Sequence, residues 1–348
     1  MVREYVQTNT LAVSKTGEAA NFSNFRFSTD FSYGPDTDLS HLSQLKMLAR
    51  IFALQAALAA EEGRSEEWSD KIVQILKLAS AIDEEPAIIP HLVRNAIVRM
   101  AIQTTERGLN RVSPGDAACQ KLQKAFIHAG ETNLLTRALV GERANMIPVF
   151  RLSLSEVRHV TQSDEGDGQP RKPQHYSGKP IFILWLSGFF ERDLNFYLQT
   201  MDKGISLSKL TFPESLVLTN QFDEASQIAQ KEHYLLSGML LPPLLRVATR
   251  EAALETQIRL VETAMAVEQF RNVRGQLPPS LKELVPQFLK SVPADPFTAE
   301  PLRYRLSDKG YVIYGVDSDG RDNGGCEGPD HKKMSDTNCY DITFTVMR

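Results

Sequence analysis

A short acidic segment near the C-terminus places the strongest constraint on how this chain folds. Residues 314–325 read YGVDSDGRDNGG, with carboxylates at Asp317, Asp319 and Asp322 among several glycines. The residues before this segment alternate in the manner of a strand, so the chain must turn sharply here, and glycine allows the backbone conformations that such a turn requires. Carboxylates gathered in a turn supply the hard oxygen ligands that calcium prefers. The sequence therefore predicts a calcium-binding loop between two strands.

A solvated turn is the alternative explanation for this loop. Asp and Asn side chains bond to their own backbone in many turns that hold no metal. The carboxylates of Asp317, Asp319 and Asp322 would then repel one another with nothing to offset the cost, which favours calcium. The spacing also differs from the helix–loop–helix calcium motif, because no glutamate occupies the final ligand position. The predicted site is thus a structural clamp and not a calcium sensor.

Size and charge exclude several classes of protein. With 348 residues, 42% of them hydrophobic and 24% charged, the chain is long enough for two folded domains. The formal net charge is -4 and the basic residues are scattered, so no basic stripe of the kind that binds nucleic acid is present. The longest apolar runs, 180–190 and 235–245, reach about half of the roughly 20 residues in a membrane-spanning helix. We expect neither nucleic-acid binding nor a membrane helix in this chain.

Two cysteines flank the end of the acidic loop. A disulfide between Cys326 and Cys339 would contribute about 3 kcal/mol in the chain-entropy model. Two unrelated surface thiols, or a zinc site with His331 that is one ligand short, are the alternatives. Disulfides persist in oxidising compartments. Since residues 1–6 do not resemble a secretory signal, the chain is either cytoplasmic or begins after its export signal, and the cysteines favour the periplasm or cell envelope.

Helical periodicity dominates the chain from Asp38 to about residue 240. Apolar side chains recur every three or four residues in successive stretches, which glycine and proline separate. Residues 1–37 instead alternate aromatic and polar side chains and are predicted to form an extended N-terminal arm. Residues 162–179 contain almost no apolar side chain, so we expect a polar linker or loop there. The region 38–240 is predicted to be an all-helical bundle or a short array of helical repeats.

From residue 241 onward the pattern changes to one long helix, 244–273, followed by short segments that alternate like strands. The landmarks of this region are FRNVRG (270–275), LPPSLKEL (277–284), VPADPF (292–297), PLRY (301–304) and YGVDSDG (314–320). In this order they resemble the soluble head of the major pseudopilin of type II secretion systems. That head packs a long helix on a small antiparallel sheet and binds calcium in the loop before the last strand. The resemblance implies the same α+β fold for residues 241–348.

The resemblance also implies a set of calcium ligands. Asp319 matches a carboxylate ligand, and the carbonyl of Val316 matches a backbone ligand. Asp322 and Asp341 are the next best matches, and Asp341 directly precedes the last predicted strand. Three further residues, Asp317, Asp330 and Asp336, have no counterpart in the family and are predicted on their chemistry alone.

The resemblance stops at the start of the long helix. A pseudopilin helix begins with an apolar half that anchors in the membrane and polymerises, whereas this one follows Leu241-Pro242-Pro243 and a long helical region. Filament assembly is therefore not implied. A helical region with a pseudopilin-like tail also resembles a class of large exported bacterial proteins, and that resemblance implies no activity.

No motif in the sequence marks a catalytic site. Glu142-Arg143 is best explained by salt bridges between helices, and the segment from Ser206 to Lys209 lacks the companion motifs of serine acyl-transferases. The seven histidines never fall in a zinc-protease pattern.

We therefore expect a non-enzymatic, exported binding or scaffold protein of the bacterial envelope, with a protein or peptide ligand on the helical domain. The rivals are an enzyme with a site in the groove between the two domains and a pilin-like component of a secretion apparatus. Perturbed carboxylates or histidines lining a deep pocket in that groove would favour the enzyme.

Overall fold

Amphipathic stripes in the first half of the chain form a group of packed helices. The computed structural model describes residues 27–130, 134–151, 188–326 and 340–348, together with Thr8 and Lys15. The first helix buries Leu45, Ala49 and Phe52 on one face, as its periodicity predicts. Its predicted end is confirmed, since Gly63 has a φ of 71° just after the last turn. The helices of this group are α1 (Ser40–Glu61), α2 (Ser65–Ser80), α3 (Ile88–Leu109), α4 (Asp116–Gly130) and α5 (Leu134–Met146).

Glycines let these helices approach one another closely. Helices α1, α2 and α3 pack on one another, and α4 packs on α2. A methyl group at Gly108 of α3 would overlap the indole of Trp68 on α2, which is fully buried. A methyl group at Gly141 of α5 would overlap the backbone carbonyl of Pro86. Because neither a buried indole nor a backbone carbonyl can move aside cheaply, both positions require glycine.

A second group of helices lies against α5 and builds a core of its own. Its members pack on one another, and α6 also contacts α5. The fully buried carboxylate of Asp193 accepts hydrogen bonds from the amides of Leu236 and Ser237 at 2.9 and 3.1 Å. These amides open a short helix, so Asp193 satisfies donors that the helix itself leaves unpaired. The helices of this group are α6 (Phe189–Leu207), α7 (Val217–Lys231) and α8 (Leu235–Leu240).

The helix α9 (Val247–Arg274) runs through both cores and matches the predicted span 244–273 closely. Its first turn, with Val247 and Ala248, belongs to the core of the second group. From Leu254 onward its apolar side chains belong to the core of the first group. Gly275, with a φ of 71°, ends the helix. Helix α9 is therefore the element that both cores share.

A small antiparallel sheet covers part of α9. Strand β1 (Arg303–Ser307) pairs with β2 (Gly310–Gly315), and β2 pairs with β3 (Ile342–Met347). The central strand β2 is buried along its whole length, and both β2 and β3 pack on α9. The prediction of a mainly helical chain that ends in a small α+β unit, with a long helix on an antiparallel sheet, is confirmed.

The sheet is also joined to the first group of helices. The amide of Thr345 donates to the carboxylate of Glu106 on α3 at 2.7 Å, and the amide of Met347 donates to Asn110 at 2.6 Å. Apolar side chains of β2 and β3 share one core with α1 to α4. Described residues on both sides of the predicted domain boundary at 240/241 thus contribute to common cores.

Several sequence predictions concern the ends and links of the chain. Of the predicted arm 1–37, residues 27–37 are described, and Phe31–Asp36 form a 3-10 helix against α5. The ring of Phe27 lies 4.5 Å from that of His41. The predicted linker 162–179 lies outside the described residues. Among the described helices, none combines the length and the apolar character needed to cross a lipid bilayer.

Candidate functional site

The acidic loop leaves β2 at Val316, and its carboxylates bond to the backbone of the loop itself. Asp317, Asp319 and Asp322 each accept a hydrogen bond from an amide one or two residues further on, at 2.6, 3.0 and 2.8 Å respectively. The amide of Gly320 donates to the Asp317 carbonyl at 2.9 Å and closes the first turn. Asp317 is half-buried, whereas Asp319 and Asp322 are exposed. Asp319 and Asp322 therefore form Asx turns, whereas Asp317 bonds to the amide of the next residue.

Asp341 ties this loop to the last strand. Its buried carboxylate accepts a hydrogen bond from the amide of Asn323, at 3.2 and 3.0 Å to its two oxygens, and another from the amide of Gly325 at 2.7 Å. Its own amide donates to the carbonyl of Cys326 at 3.2 Å. Hydrogen bonds to an ionised carboxylate are about twice as strong as neutral ones. Asp341 therefore anchors the backbone of the loop.

Asp295 is a second anchor, to which sequence reasoning assigned no role. Its fully buried carboxylate accepts hydrogen bonds from the amide of Val316 at 2.7 Å and from that of Phe297 at 2.9 Å. A side chain at Gly315 would crowd this carboxylate, so glycine is needed where the strand passes it. The available signal was the Asp-Pro pair inside the landmark 292–297, since Asp before Pro favours a turn that the Asp side chain stabilises.

Arg303 links the exposed and the buried carboxylates around the loop. Its Nε lies 2.9 Å from Asp322, and its Nη1 lies 3.6 Å from the buried Asp295. Its Nη2 donates to Glu300 at 2.7 Å. The negative charge on this side of the sheet is therefore balanced in part by a protein cation.

The structure describes five of the predicted calcium ligands, Val316, Asp317, Asp319, Asp322 and Asp341. Within the described part of the chain, no group of three or more His, Cys, Asp or Glu side chains is arranged to hold a metal ion. The carboxylates of Asp322 and Asp341 are already engaged by Arg303 and by backbone amides. These residues alone do not complete the oxygen shell that calcium needs. The remaining predicted ligands, Asp330 and Asp336, and the predicted disulfide partner Cys339 lie outside the described residues.

A cavity of about 220 Å³ lies beside α9, at the place where the two groups of helices meet it. We call it the α9 cavity. Its wall is formed by one face of α9, by parts of α3, α4 and α5, and by the segment 208–218 that leads into α7. Its residues thus come from both sides of the predicted domain boundary. No sequence pattern pointed to it, because its members lie up to 165 positions apart, from Arg94 to Arg259.

Glu251 is the first of two glutamates that α9 presents to this cavity. Its Oε2 accepts hydrogen bonds from His91 at 2.9 Å and from Asn95 at 2.8 Å, and both partners belong to α3 and are buried. Burial raises the pKa of Glu251, but the neighbouring His91 and the hydrogen bonds from His91 and Asn95 outweigh it, so the pKa lies below its usual range. Glu251 is therefore an ionised carboxylate at neutral pH.

Glu255 follows one turn later on the same face, and its pKa is shifted in the opposite direction. Its Oε1 accepts a hydrogen bond from Arg259 at 2.8 Å, and Arg259 also donates to the carbonyl of Ala294 at 2.6 Å. Burial raises the pKa of Glu255, Arg259 offsets only part of this effect, and the nearby Glu251 adds to it. The cavity therefore holds two carboxylates whose pKa values are displaced in opposite directions.

Arg94 provides the other charge in the wall. It is buried, and it donates to Asp83 at 3.0 Å and to the carbonyl of Ala129 at 2.7 Å. Burial raises the pKa of Asp83, and Arg94 offsets part of that effect. Both arginines of the wall, Arg94 and Arg259, are therefore directed toward acceptors of the protein itself.

The sequence motifs weighed for catalysis have structural partners. Arg143 pairs with Asp202 of α6, so the prediction of a salt bridge between helices is confirmed for this arginine. Glu142 accepts a hydrogen bond from the amide of Ile88 at 3.2 Å, and burial raises its pKa. The hydroxyl of Ser206 donates back along its own helix to the carbonyl of Asp202 at 2.9 Å. None of these contacts assembles a nucleophile with a base.

No known protein family, curated protein or solved structure matches the chain. The function is therefore inferred from the geometry and chemistry of the acidic loop and the α9 cavity.

Proposed function

We propose that this protein is a non-enzymatic binding protein of the bacterial cell envelope and that its ligand enters the α9 cavity. The carrying observation is the cavity itself, which combines an apolar lining with charged side chains at the junction of the two groups of helices. Binding sites commonly have this character and this placement. Its volume is smaller than the roughly 300 to 1,000 Å³ of drug-sized sites, which suits a small molecule or one side chain of a peptide.

The partners of the polar wall residues favour binding over nucleophilic catalysis. The hydroxyl of Ser208 is engaged with the carbonyl of Ile205 at 2.9 Å and with Thr136 at 2.8 Å. Among the described residues that line the cavity, none is a histidine or a cysteine. A nucleophile needs an adjacent base to be activated, and the Ser215 hydroxyl of this wall has no hydrogen-bond partner among the described residues that could act as one.

The C-terminal loop is proposed to serve stability, with a structural calcium ion at Asp319 and its neighbours. Asp295 and Asp341 already fix the two ends of the described loop, so an ion at its exposed edge would brace the turn without a catalytic role. The resemblance to the pseudopilin head and the proposed Cys326–Cys339 disulfide support a location outside the cytoplasm. A pilin-like role in a secretion apparatus depends on that resemblance alone.

An enzyme is the second candidate, and one observation favours it. Glu251 and Glu255 lie one turn apart on the same wall, with pKa values displaced in opposite directions. Acid–base enzymes use pairs of this kind, one group ionised and the other ready to hold a proton. A ligand recovered unchanged after long incubation with the protein, as judged by mass spectrometry, would favour binding, and a converted one would favour the enzyme.

A thermal-shift screen against a library of small molecules tests the proposal. Compounds that bind the α9 cavity should stabilise the wild-type protein and lose this effect in Ala129→Phe, which fills the cavity from α4. Ala125→Phe, one turn earlier on α4 and outside the lining, is the matched control and should keep the response. If every stabilising compound acts equally on the wild type and on Ala129→Phe, the cavity is not the binding site.

A further inference from the structure

Two carboxylate oxygens in the wall of the α9 cavity have no donor among the described residues. His91 and Asn95 both bond to Oε2 of Glu251, which leaves its Oε1 without a hydrogen bond from the described protein. Arg259 bonds to Oε1 of Glu255, which leaves Oε2 of Glu255 without a hydrogen bond from the described protein. The two side chains follow each other at a spacing of four residues, so they lie side by side on one face of α9.

Ser215 adds an independent sign of a missing partner. It lines the same cavity from the 3-10 helix Glu214–Leu216, in a segment of the chain separate from α9, and its side chain is 5% exposed. Its hydroxyl oxygen is buried and has no hydrogen-bond partner within the described chain. An unsatisfied buried hydroxyl costs about 1–3 kcal/mol, so such groups normally mark a place for a water or a ligand.

The remaining wall is mostly apolar, and this limits the form of the ligand. Leu135, Leu210, Phe212 and Ile258 contribute to it. A ligand that fills the cavity therefore needs an apolar part for these side chains and a polar part for Glu251, Glu255 and Ser215. The carboxylates of Glu251 and Glu255 and the hydroxyl of Ser215 can each accept a further hydrogen bond, so a polar part with several donors fits them best.

We propose that the α9 cavity binds a primary ammonium group carried on a short alkyl chain. This inference rests on the proposed binding function and specifies its ligand class. An ammonium group has three N–H donors and no acceptor, which matches two carboxylate oxygens and one hydroxyl. Arg259 already donates to Oε1 of Glu255, so the ammonium would use Oε2 of Glu255 and Oε1 of Glu251. An ionised ligand carboxylate has no N–H or O–H group to donate to these oxygens.

The same chemistry has two sources, a free alkylamine and the side chain of a lysine in a peptide. Isothermal titration calorimetry of the full chain at neutral pH, with pentylamine and with N-acetyl-lysine methylamide, separates them. 1-Pentanol and pentanoate are the matched neutral and anionic probes of similar size. We expect at least one of the two amines to bind about tenfold or more tightly than the alcohol and the anion, because hydrogen bonds to charged groups contribute more than neutral ones.

Variants assign the binding to the named atoms. Glu255→Gln and Ser215→Ala should each weaken binding of the amine, the first by about tenfold or more, because each removes one acceptor from the ammonium. Glu224→Gln, at an exposed carboxylate of α7 outside the cavity, is the control and should leave the affinity unchanged. Ser215→Ala removes only a hydroxyl, so it keeps the test decisive if Glu255→Gln folds poorly.

The outcomes separate this inference from the proposed function. If pentanol or pentanoate binds as well as the amines, and Ala129→Phe abolishes that binding, the cavity is a ligand site but the ammonium assignment is wrong. If the amines bind equally to the wild type, Glu255→Gln and Ser215→Ala, the assignment is also wrong. If no probe binds and the library screen finds no ligand that Ala129→Phe excludes, both proposals fail.

Discussion

Replacing Asp295 by asparagine is the perturbation for which the structure gives the clearest magnitude. The wild-type carboxylate accepts one amide hydrogen bond on each oxygen, from Val316 at 2.7 Å and from Phe297 at 2.9 Å, and it is fully buried. Asparagine has nearly the same shape but only one acceptor atom. One of the two amides will therefore face the new NH2 group and lose its partner.

The cost is estimated by counting these two bonds. A buried amide left without an acceptor costs about 1–3 kcal/mol, and the surviving bond loses about 1 kcal/mol because its acceptor is no longer charged. Arg303 keeps Glu300 and Asp322 as partners, so its loss is small. We expect Asp295→Asn to lower the free energy of unfolding by about 2–4 kcal/mol, which for a chain of this length corresponds to a drop in Tm of roughly 3–5 °C.

Thermal unfolding by circular dichroism, with chelator present so that no metal contributes, is the appropriate assay. Asp319→Asn is the matched control, because the exposed Asp319 accepts only the amide of Arg321 within an Asx turn. Hydrogen exchange gives a local check, since the amide of Val316 should exchange faster in Asp295→Asn than in the wild type. Equal Tm values for the two variants would refute the role of Asp295 as the buried anchor of the loop.

Four further predictions address the loop, the disulfide, the helix packing and a buried glutamate. Asp319→Ala should lower Tm with calcium present and not after chelation, whereas equal losses in both conditions would contradict the calcium site. Mass spectrometry without reductant should find Cys326 linked to Cys339, and two free thiols would count against an oxidising compartment. Gly141→Ala should destabilise the fold by about 1–3 kcal/mol in denaturant unfolding, because its methyl group would overlap backbone of the segment before α3. Burial, and then the neighbouring Glu255, raise the pKa of Glu262 above its ordinary value of 4.5. The protonated form of Glu262 stabilises the folded state at low pH, and this contribution is lost as pH rises through the raised pKa. The stability of Glu262→Gln relative to wild type should therefore increase from pH 4.5 upward. A stability difference that is independent of pH would contradict this prediction.

Local patterns were enough to predict the helices and the sheet. The apolar stripe through Leu45, Ala49 and Phe52 and the stop at Gly63 are readable because they depend on residues within a few turns of one another. The same holds for the strands on either side of the acidic loop, where alternation and glycine mark the turn. Helices and strands that are determined by residues close together in the chain can be predicted from the sequence alone.

The α9 cavity was beyond such patterns for a physical reason. Glu251 and Glu255 look like ordinary exposed charges on a helix until α3 and the segment 208–218 bury them. Ser215 likewise has no distinguishing neighbours in sequence. Their environment is created by packing between distant segments, so neither the pKa displacements nor the missing hydrogen bonds have a local signature.

Asp295 shows an intermediate case. Its place in the landmark 292–297 is visible in the sequence, but its partner Val316 is 21 positions away and becomes a partner only when β2 passes it. The acidic loop attracted attention through its many carboxylates, while the residues that hold it are the two that are buried. Number and exposure of charges are thus a poor guide to which carboxylates bear on stability.

The position of α9 across both cores also bears on how such a protein could arise. A cut at 240/241 would remove α9 from the core of α1 to α4 and would strip its first turn from the core of α6 to α8. Each fragment would then expose a broad apolar surface, which promotes aggregation. Recombination that exchanges residues 241–348 as a separate domain would therefore disrupt both cores. Substitutions on α9 are expected to be accompanied by compensating changes in the helices of both groups.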